Sequence, residues 1–120
     1  MKTLTLIFCL PLLMAAACQN APWDHEVAVS ADCPAYAEWK KAAELREVAG
    51  TVINEAETSQ TSTWLYIRTS DSTRYFACNL PDQARKTGTK VVFNADEFAP
   101  PPNVRLAGVP VKLTKLRLVP

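Results

Sequence analysis

Glycine is scarce in this chain: there are three in 120 residues, beside a single histidine and four cysteines. Three glycines are too few for a phosphate-cradling loop, and neither a P-loop nor an HExxH pattern occurs. A Ser-His or Cys-His nucleophile pair would have to use His25, which sits in an unpatterned stretch poorly suited to holding catalytic geometry. Asp24-His25-Glu26 is at best a weak chelator, and no CxxC pair is present. Asp96-Glu97 is the one tight carboxylate pair, but neighbours on a strand point to opposite faces and cannot share one glycosidic bond. The formal net charge is only +1, so global charge gives no reason to expect nucleic acid as a partner. These scarcities point away from an enzyme and imply no catalytic residue, metal or cofactor.

What is present begins with a leader. Lys2 supplies a positive start, Leu4 to Met14 form a short apolar run broken by Pro11, and Ala15-Ala16-Ala17-Cys18 follows. The run is shorter than the roughly 20 apolar residues a spanning helix needs, and the pattern is that of a secretory signal. The Cys18 thiolate is placed to take a diacylglycerol as a thioether, and the new amino terminus to be acylated after cleavage. Two or more chains hold a protein firmly on a membrane where one does so only marginally. The site resembles a bacterial lipobox, with Ala15 where Leu is usual; the alternative is ordinary cleavage after Ala-x-Ala. Gln19 after the cysteine implies, by that resemblance, sorting to the outer membrane. Residues 1–17 are thus expected to be a lipoprotein signal peptide and residues 18–31 a tether.

Charge is unevenly spread. Cys18 to Glu57 carries eight acids and three bases, whereas Thr58 to Pro120 carries four acids and nine bases. Either the halves attract each other in the fold, or the C-terminal half presents a basic ligand face. Cys33 and Cys78 remain as an even pair in an oxidising compartment, and a disulfide between them is expected. Two buried free thiols are the alternative.

Along residues 32–120 the pattern is mainly β. Asp32 to Leu45 predicts a short N-terminal helix, capped by Asp32, with Pro34 in its first turn and Tyr36, Trp39 and Ala43 on one face. Leu45 to Glu57 predicts a long first strand bent at Gly50, so that one strand serves two sheets of a small barrel. Thr63 to Thr69 and Arg74 to Leu80 form a hairpin about Ser70-Asp71-Ser72. A helical turn from Pro81 to Lys86 stops at Gly88. Lys90 to Phe98 is the fourth strand, with Val91, Phe93 and Ala95 on one face. Pro100-Pro101-Pro102 stiffens the next loop. In the last strand, Gly108 to Val119, the apolar phase slips near Thr114-Lys115, which predicts a β-bulge. Pro110 suits an edge position. Five strands with a helical turn between the third and fourth predict an OB-type barrel; another small barrel or a sandwich is the alternative.

Cys78-Asn79-Leu80-Pro81, then Gly88 to Phe93, then Pro102 to Thr114 resemble the run "NLP … G-x-x-V-x-F" of NigD-like lipoproteins of anaerobic Gram-negative bacteria. The resemblance covers roughly Leu45 to Val119. It implies an OB-type domain and an envelope address and carries no catalytic signature. Such chains can have a further C-terminal β-domain, whose role is not carried over.

The candidate ligand face is Trp64, Tyr66 and Arg68, with Arg74 or Tyr75 on the paired strand. Aromatic faces flanked by arginine suit sugar rings or stacked bases, and OB-type barrels bind ligands on this sheet face. An extracytoplasmic compartment ranks nucleic acid below glycan or peptide. Alternatively the Asp32–Leu45 helix or the chain termini cover Trp64 and Tyr66. The expected function is a lipid-anchored, non-catalytic binding or accessory module, meeting a glycan, a peptide or an envelope protein. The alternatives are an inhibitor of extracytoplasmic hydrolases inserting Pro100 to Val104, and an assembly factor of an outer-membrane complex. Mass spectrometry of the mature protein should find a thioether diacylglycerol and an amide acyl chain on Cys18. A soluble product with a free amino terminus would refute the anchor.

Overall fold

The structure, a computed structural model, describes residues 23–120. The expected signal peptide, Cys18 and residues 19–22 lie outside the described residues. Six strands form: β1 (Glu26–Val27), β2 (Lys40–Asn54), β3 (Leu65–Arg68), β4 (Arg74–Ala77), β5 (Lys90–Ala99) and β6 (Val109–Leu118). Single 3-10 turns occur at Pro34–Tyr36, Glu55–Glu57 and Asp82–Ala84. Strands β2 to β6 close into a five-stranded barrel in the order β2-β3-β4-β6-β5 and back to β2, every pair antiparallel except β4 with β6.

β2 serves two neighbours, as its glycine predicts. Lys40 to Thr51 pair with β5, and Thr51 to Asn54 pair with β3. At the changeover a Cβ on Gly50 would stand 2.5 Å from Ile67 Cγ2 and 3.1 Å from the Arg68 carbonyl oxygen. The two strands meet this closely only because position 50 has no side chain.

β5 is flanked by irregularities on both sides. On β2 the register shifts between Leu45 and Val48, where Glu47 adopts φ +51° and its N–H donates to Asn94 Oδ1 at 2.7 Å. On β6 the register shifts opposite Asn94 and Ala95, leaving Thr114 unpaired, where the apolar phase slips. The extra residue lets Leu113 and Leu116 both enter the core, although they are three apart. Pro110 pairs with Phe76 of β4, beyond the last β5 partner at Val111, so its missing N–H interrupts no β5 bond.

The interior is filled by Val52, Ile67, Val91, Phe93, Ala95, Val111, Leu113 and Leu116, with Leu80 and Ala84 from the connection between β4 and β5. Val91, Phe93 and Ala95 share the core face that their alternation predicts.

The expected helix from Asp32 to Leu45 is absent. Pro34–Tyr36 makes one 3-10 turn, and from Lys40 the chain is already β2, with Lys40 to Leu45 pairing with Ala95 to Ala99 of β5. A lone helix of that length is marginal in water, and strand pairing along β5 offers its backbone a ladder instead, interrupted only at Ala42. Helix propensity yields to tertiary context.

From Trp23 onward, the stretch expected to be a tether lies against the barrel. Glu26 and Val27 pair with Arg117 and Leu116, and the Leu118 N–H donates to the His25 carbonyl oxygen. The Trp23 ring lies 4.6 Å from Lys115 Nζ and 5.6 Å from the Arg117 guanidinium carbon, within cation–π range.

The closure of β4 against β6 is reinforced where β4 ends. Cys78 N–H donates to the Val111 carbonyl. Beyond it the Asn79 side chain takes over from the backbone: Oδ1 accepts from Leu113 N–H at 2.8 Å, and Nδ2 donates to the Leu113 carbonyl at 2.9 Å and to the Ser30 carbonyl at 2.6 Å. Asn79 is 8% exposed, and its two bonds to Leu113 are shielded from water. The neighbouring Cys78 is disulfide-bonded to Cys33, with Cα atoms 5.6 Å apart. In the loop-entropy account a bridge spanning 45 residues stabilises by about 4 kcal/mol. Asn79→Ala leaves Leu113 without its partners and should cost about 2–3 kcal/mol, measured by urea unfolding. A loss under half that would mean that water replaces the clamp.

Candidate functional site

Alternation along the β3–β4 hairpin sorts its side chains. Ile67 and Tyr75 are paired across the hairpin and face inward; Tyr75 packs edge-on against Phe93, centroids 5.7 Å apart. Tyr66, Arg68, Arg74 and Phe76 take the opposite phase and face outward. Of the five predicted ligand-face residues, the structure brings together Trp64, Tyr66 and Arg74. Arg68 lies further along the same face, and Tyr75, partly buried, packs against the core.

The centre of this outer face is Phe76. Trp64 meets it edge-on at 5.9 Å, and Tyr66 lies 5.4 Å from it at a tilt. The Arg74 guanidinium stands 5.3 Å from the Tyr66 centroid and 5.9 Å from that of Trp64. Tyr66 is thereby only 4% exposed, whereas Trp64 remains 46% exposed. A helix does not cover Tyr66; the hairpin's own Arg74 and Phe76 do. Alternation along β4 puts Phe76, and not Tyr75, on the outer face with Arg74.

Two further segments complete the surface. The Cys33–Cys78 bridge sets the Pro34–Tyr36 turn beside β4, and the Tyr36 hydroxyl donates to the Phe76 carbonyl at 3.2 Å. The Trp39 and Phe98 rings lie at a tilt to Tyr36, with centroids 4.8 and 5.8 Å away. The loop between β5 and β6 reaches over β4. Gly108 passes so close that a Cβ would overlap the Arg74 carbonyl and Phe76 Cε2. The result is an apolar cleft of about 300 Å³, lined by Tyr36, Trp64, Phe76, Arg105, Leu106 and Ala107. Leu106 is 41% exposed at its rim.

The other side of Trp64 is polar. A depression of about 420 Å³ is lined by Glu55, Thr61, Ser62, Thr63 and the same Trp64. Glu55 accepts hydrogen bonds from the Ser62 hydroxyl at 2.6 Å and the Tyr66 hydroxyl at 2.9 Å. Those two bonds hold its carboxyl below the usual range, so it is an anion at neutral pH. One half-exposed indole therefore divides an apolar cleft from a hydroxyl- and carboxylate-lined one.

Among the described residues, no group of three or more His, Cys, Asp or Glu side chains is placed to hold a metal ion, and no helix is long and apolar enough to cross a membrane. No protein-family model matches the chain, and no curated protein matches it.

Burial pushes all three tyrosines, Tyr36, Tyr66 and Tyr75, above the ordinary phenol value, with the Glu55 carboxylate adding to the shift at Tyr66. In the unfolded chain they ionise near pH 10, about the free value. A raised folded value contributes stability that is complete below that pH and is lost as pH rises through the folded values. The melting temperature should therefore fall above about pH 10, and Tyr66→Phe should flatten that fall. An unchanged alkaline slope in the variant would show that Tyr66 is not one of the groups responsible.

Proposed function

We propose that this protein is a non-catalytic binding module of the bacterial cell envelope, lipid-anchored through Cys18, that recognises a glycan at Trp64. The leader and its cysteine support the address. The Cys33–Cys78 disulfide, which calls for an oxidising compartment, fits it. The strand order, with its single parallel pair and the turn between β4 and β5, fits an OB-type barrel. In such barrels the second- and third-strand face and the loops after the first and fourth strands take up ligands. In this chain those loops are residues 55–64 and 100–108, and they flank Trp64. The resemblance to NigD-like lipoproteins agrees with that fold and address.

The observation that carries the reading is the division at Trp64. A sugar ring is amphipathic, with an apolar C–H face and a rim of hydroxyls. An indole offers the first a stacking surface, and Glu55, Ser62 and Thr63 offer the second acceptors and donors. The cleft is large enough for one ring, so specificity would come from the residues beside it.

The test is fluorescence titration with N-acetylglucosamine oligomers and soluble peptidoglycan glycan strands, with free stem peptides as the comparison. Saturable binding of the glycans is expected, lost in Trp64→Ala. That variant should unfold within about 1 kcal/mol of the parent because the side chain is half exposed. Binding unaffected by Trp64→Ala, or binding of the peptides alone, would overturn the glycan reading.

A further inference from the structure

A second feature of the outer surface begins where the aromatic cluster ends, at Arg74. Thr51 is the residue shared by both partners of β2: it pairs with Arg68 on one side and with Lys90 on the other. Arg68 pairs in turn with Arg74. Residues directly opposite each other in a sheet project from the same face. Lys90, Thr51, Arg68 and Arg74 therefore form one transverse row across four adjacent strands, with three positive charges and a hydroxyl.

Directly opposed like charges destabilise a sheet. Arg74 is offset by the Tyr66 and Trp64 ring faces and by the charge of Glu55, whereas Arg68 and Lys90 have no ion-pair partner among the described residues. The nearest acid in sequence, Asp71, is committed to its own hairpin, accepting from the Thr69 hydroxyl and from Thr73 N–H. Arg74 leans onto Tyr66 and Trp64, which leaves Arg68 and Lys90 as the pair flanking Thr51. Their Cα atoms stand two strand steps, about 10 Å, apart, so two long side chains can close on one group above the threonine. Around them is an open depression of about 670 Å³, whose polar lining includes Thr69, Ser70 and Ser72 and no carboxylate.

We infer that this row is a binding site for a phosphate group. Arg68 would donate a two-pronged hydrogen bond to two of its oxygens, Lys90 would supply a point charge, and the hydroxyls of Thr51 and Ser70 would donate to the remaining oxygens. A tetrahedral anion is preferred to a single carboxylate because the donors approach from both flanks and the floor. The phosphate can belong to a soluble phosphomonoester or to a lipid headgroup.

Thermal unfolding and calorimetric titration of the protein test this, with inorganic phosphate, glycerol 3-phosphate and a short-chain phosphatidylglycerol as probes and chloride at matched ionic strength as control. A saturable rise in melting temperature is expected with phosphate. Arg68→Gln and Lys90→Gln should each weaken binding about tenfold or more, and the double variant should abolish it. Without ligand, Arg68→Gln should melt no lower than the parent, because it removes a like-charge contact; a merely structural arginine would lower it. Tighter binding of glycerol 3-phosphate than of phosphatidylglycerol assigns the site to soluble phosphomonoesters, and the reverse order assigns it to a lipid headgroup. Phosphate without effect beyond chloride, or binding unchanged in the double variant, overturns the site. Trp64→Ala should leave phosphate binding intact, which separates this outcome from that of the glycan reading.

Discussion

The parallel contact between β4 and β6 is the constraint on which the molecule depends. It turns a curved sheet into a closed barrel, and it is short, with three residue pairs from Tyr75–Val109 to Ala77–Val111. Parallel pairing is slightly weaker per residue than antiparallel, so a closure this brief needs support. Two devices supply it at the same end of β4. Asn79 extends the ladder with its side chain, bonding both backbone groups of Leu113, and Cys78 is bridged to Cys33. The third Asn79 bond, to Ser30, ties the N-terminal segment to the same point.

The closure also assembles the ligand surface. β6 can lie beside β4 only if the preceding loop crosses the hairpin's outer face, and Gly108 permits that crossing at van der Waals contact. This brings Arg105, Leu106 and Ala107 over Phe76. The disulfide brings Tyr36 to the same place from the opposite end of the chain. The cleft is thus a by-product of closing the barrel, made by segments far apart in sequence and meeting on one strand.

Electrostatics follow the same economy. Between the acidic N-terminal and basic C-terminal halves, Glu26 pairs with Lys115 in the sense of the charge split and Lys41 with Asp96 against it, while Lys41 with Glu44, Arg46 with Glu44 and Arg85 with Asp82 pair within their own halves. Partly exposed pairs of this kind contribute little to stability. The surplus positive charge is not spread evenly; part of it lines up across the sheet as Lys90, Arg68 and Arg74. Arg74 belongs to both surfaces, closing one end of the row and covering Tyr66 in the aromatic cluster, so the two proposed sites abut.

Much of the fold is legible in the residue pattern, because strand alternation, turn chemistry and glycine placement are local. The bend at Gly50, the hairpin at Ser70-Asp71-Ser72, the core phase of Val91, Phe93 and Ala95, the slip at Thr114 and the pairing of Cys33 with Cys78 can all be read from short stretches or from the count of cysteines. What could not be read was decided by partners distant in sequence. Lys40 to Leu45 have the composition of a helix and became a strand because β5 offered a ladder. Tyr66 has the phase of an exposed residue and is buried because Arg74 and Phe76 fold over it. The cleft beside Trp64 and the row through Thr51 exist only in the closed barrel, since each needs strands or loops that share no sequence neighbourhood. Local chemistry set the elements and their faces; the closure of the sheet set which faces meet.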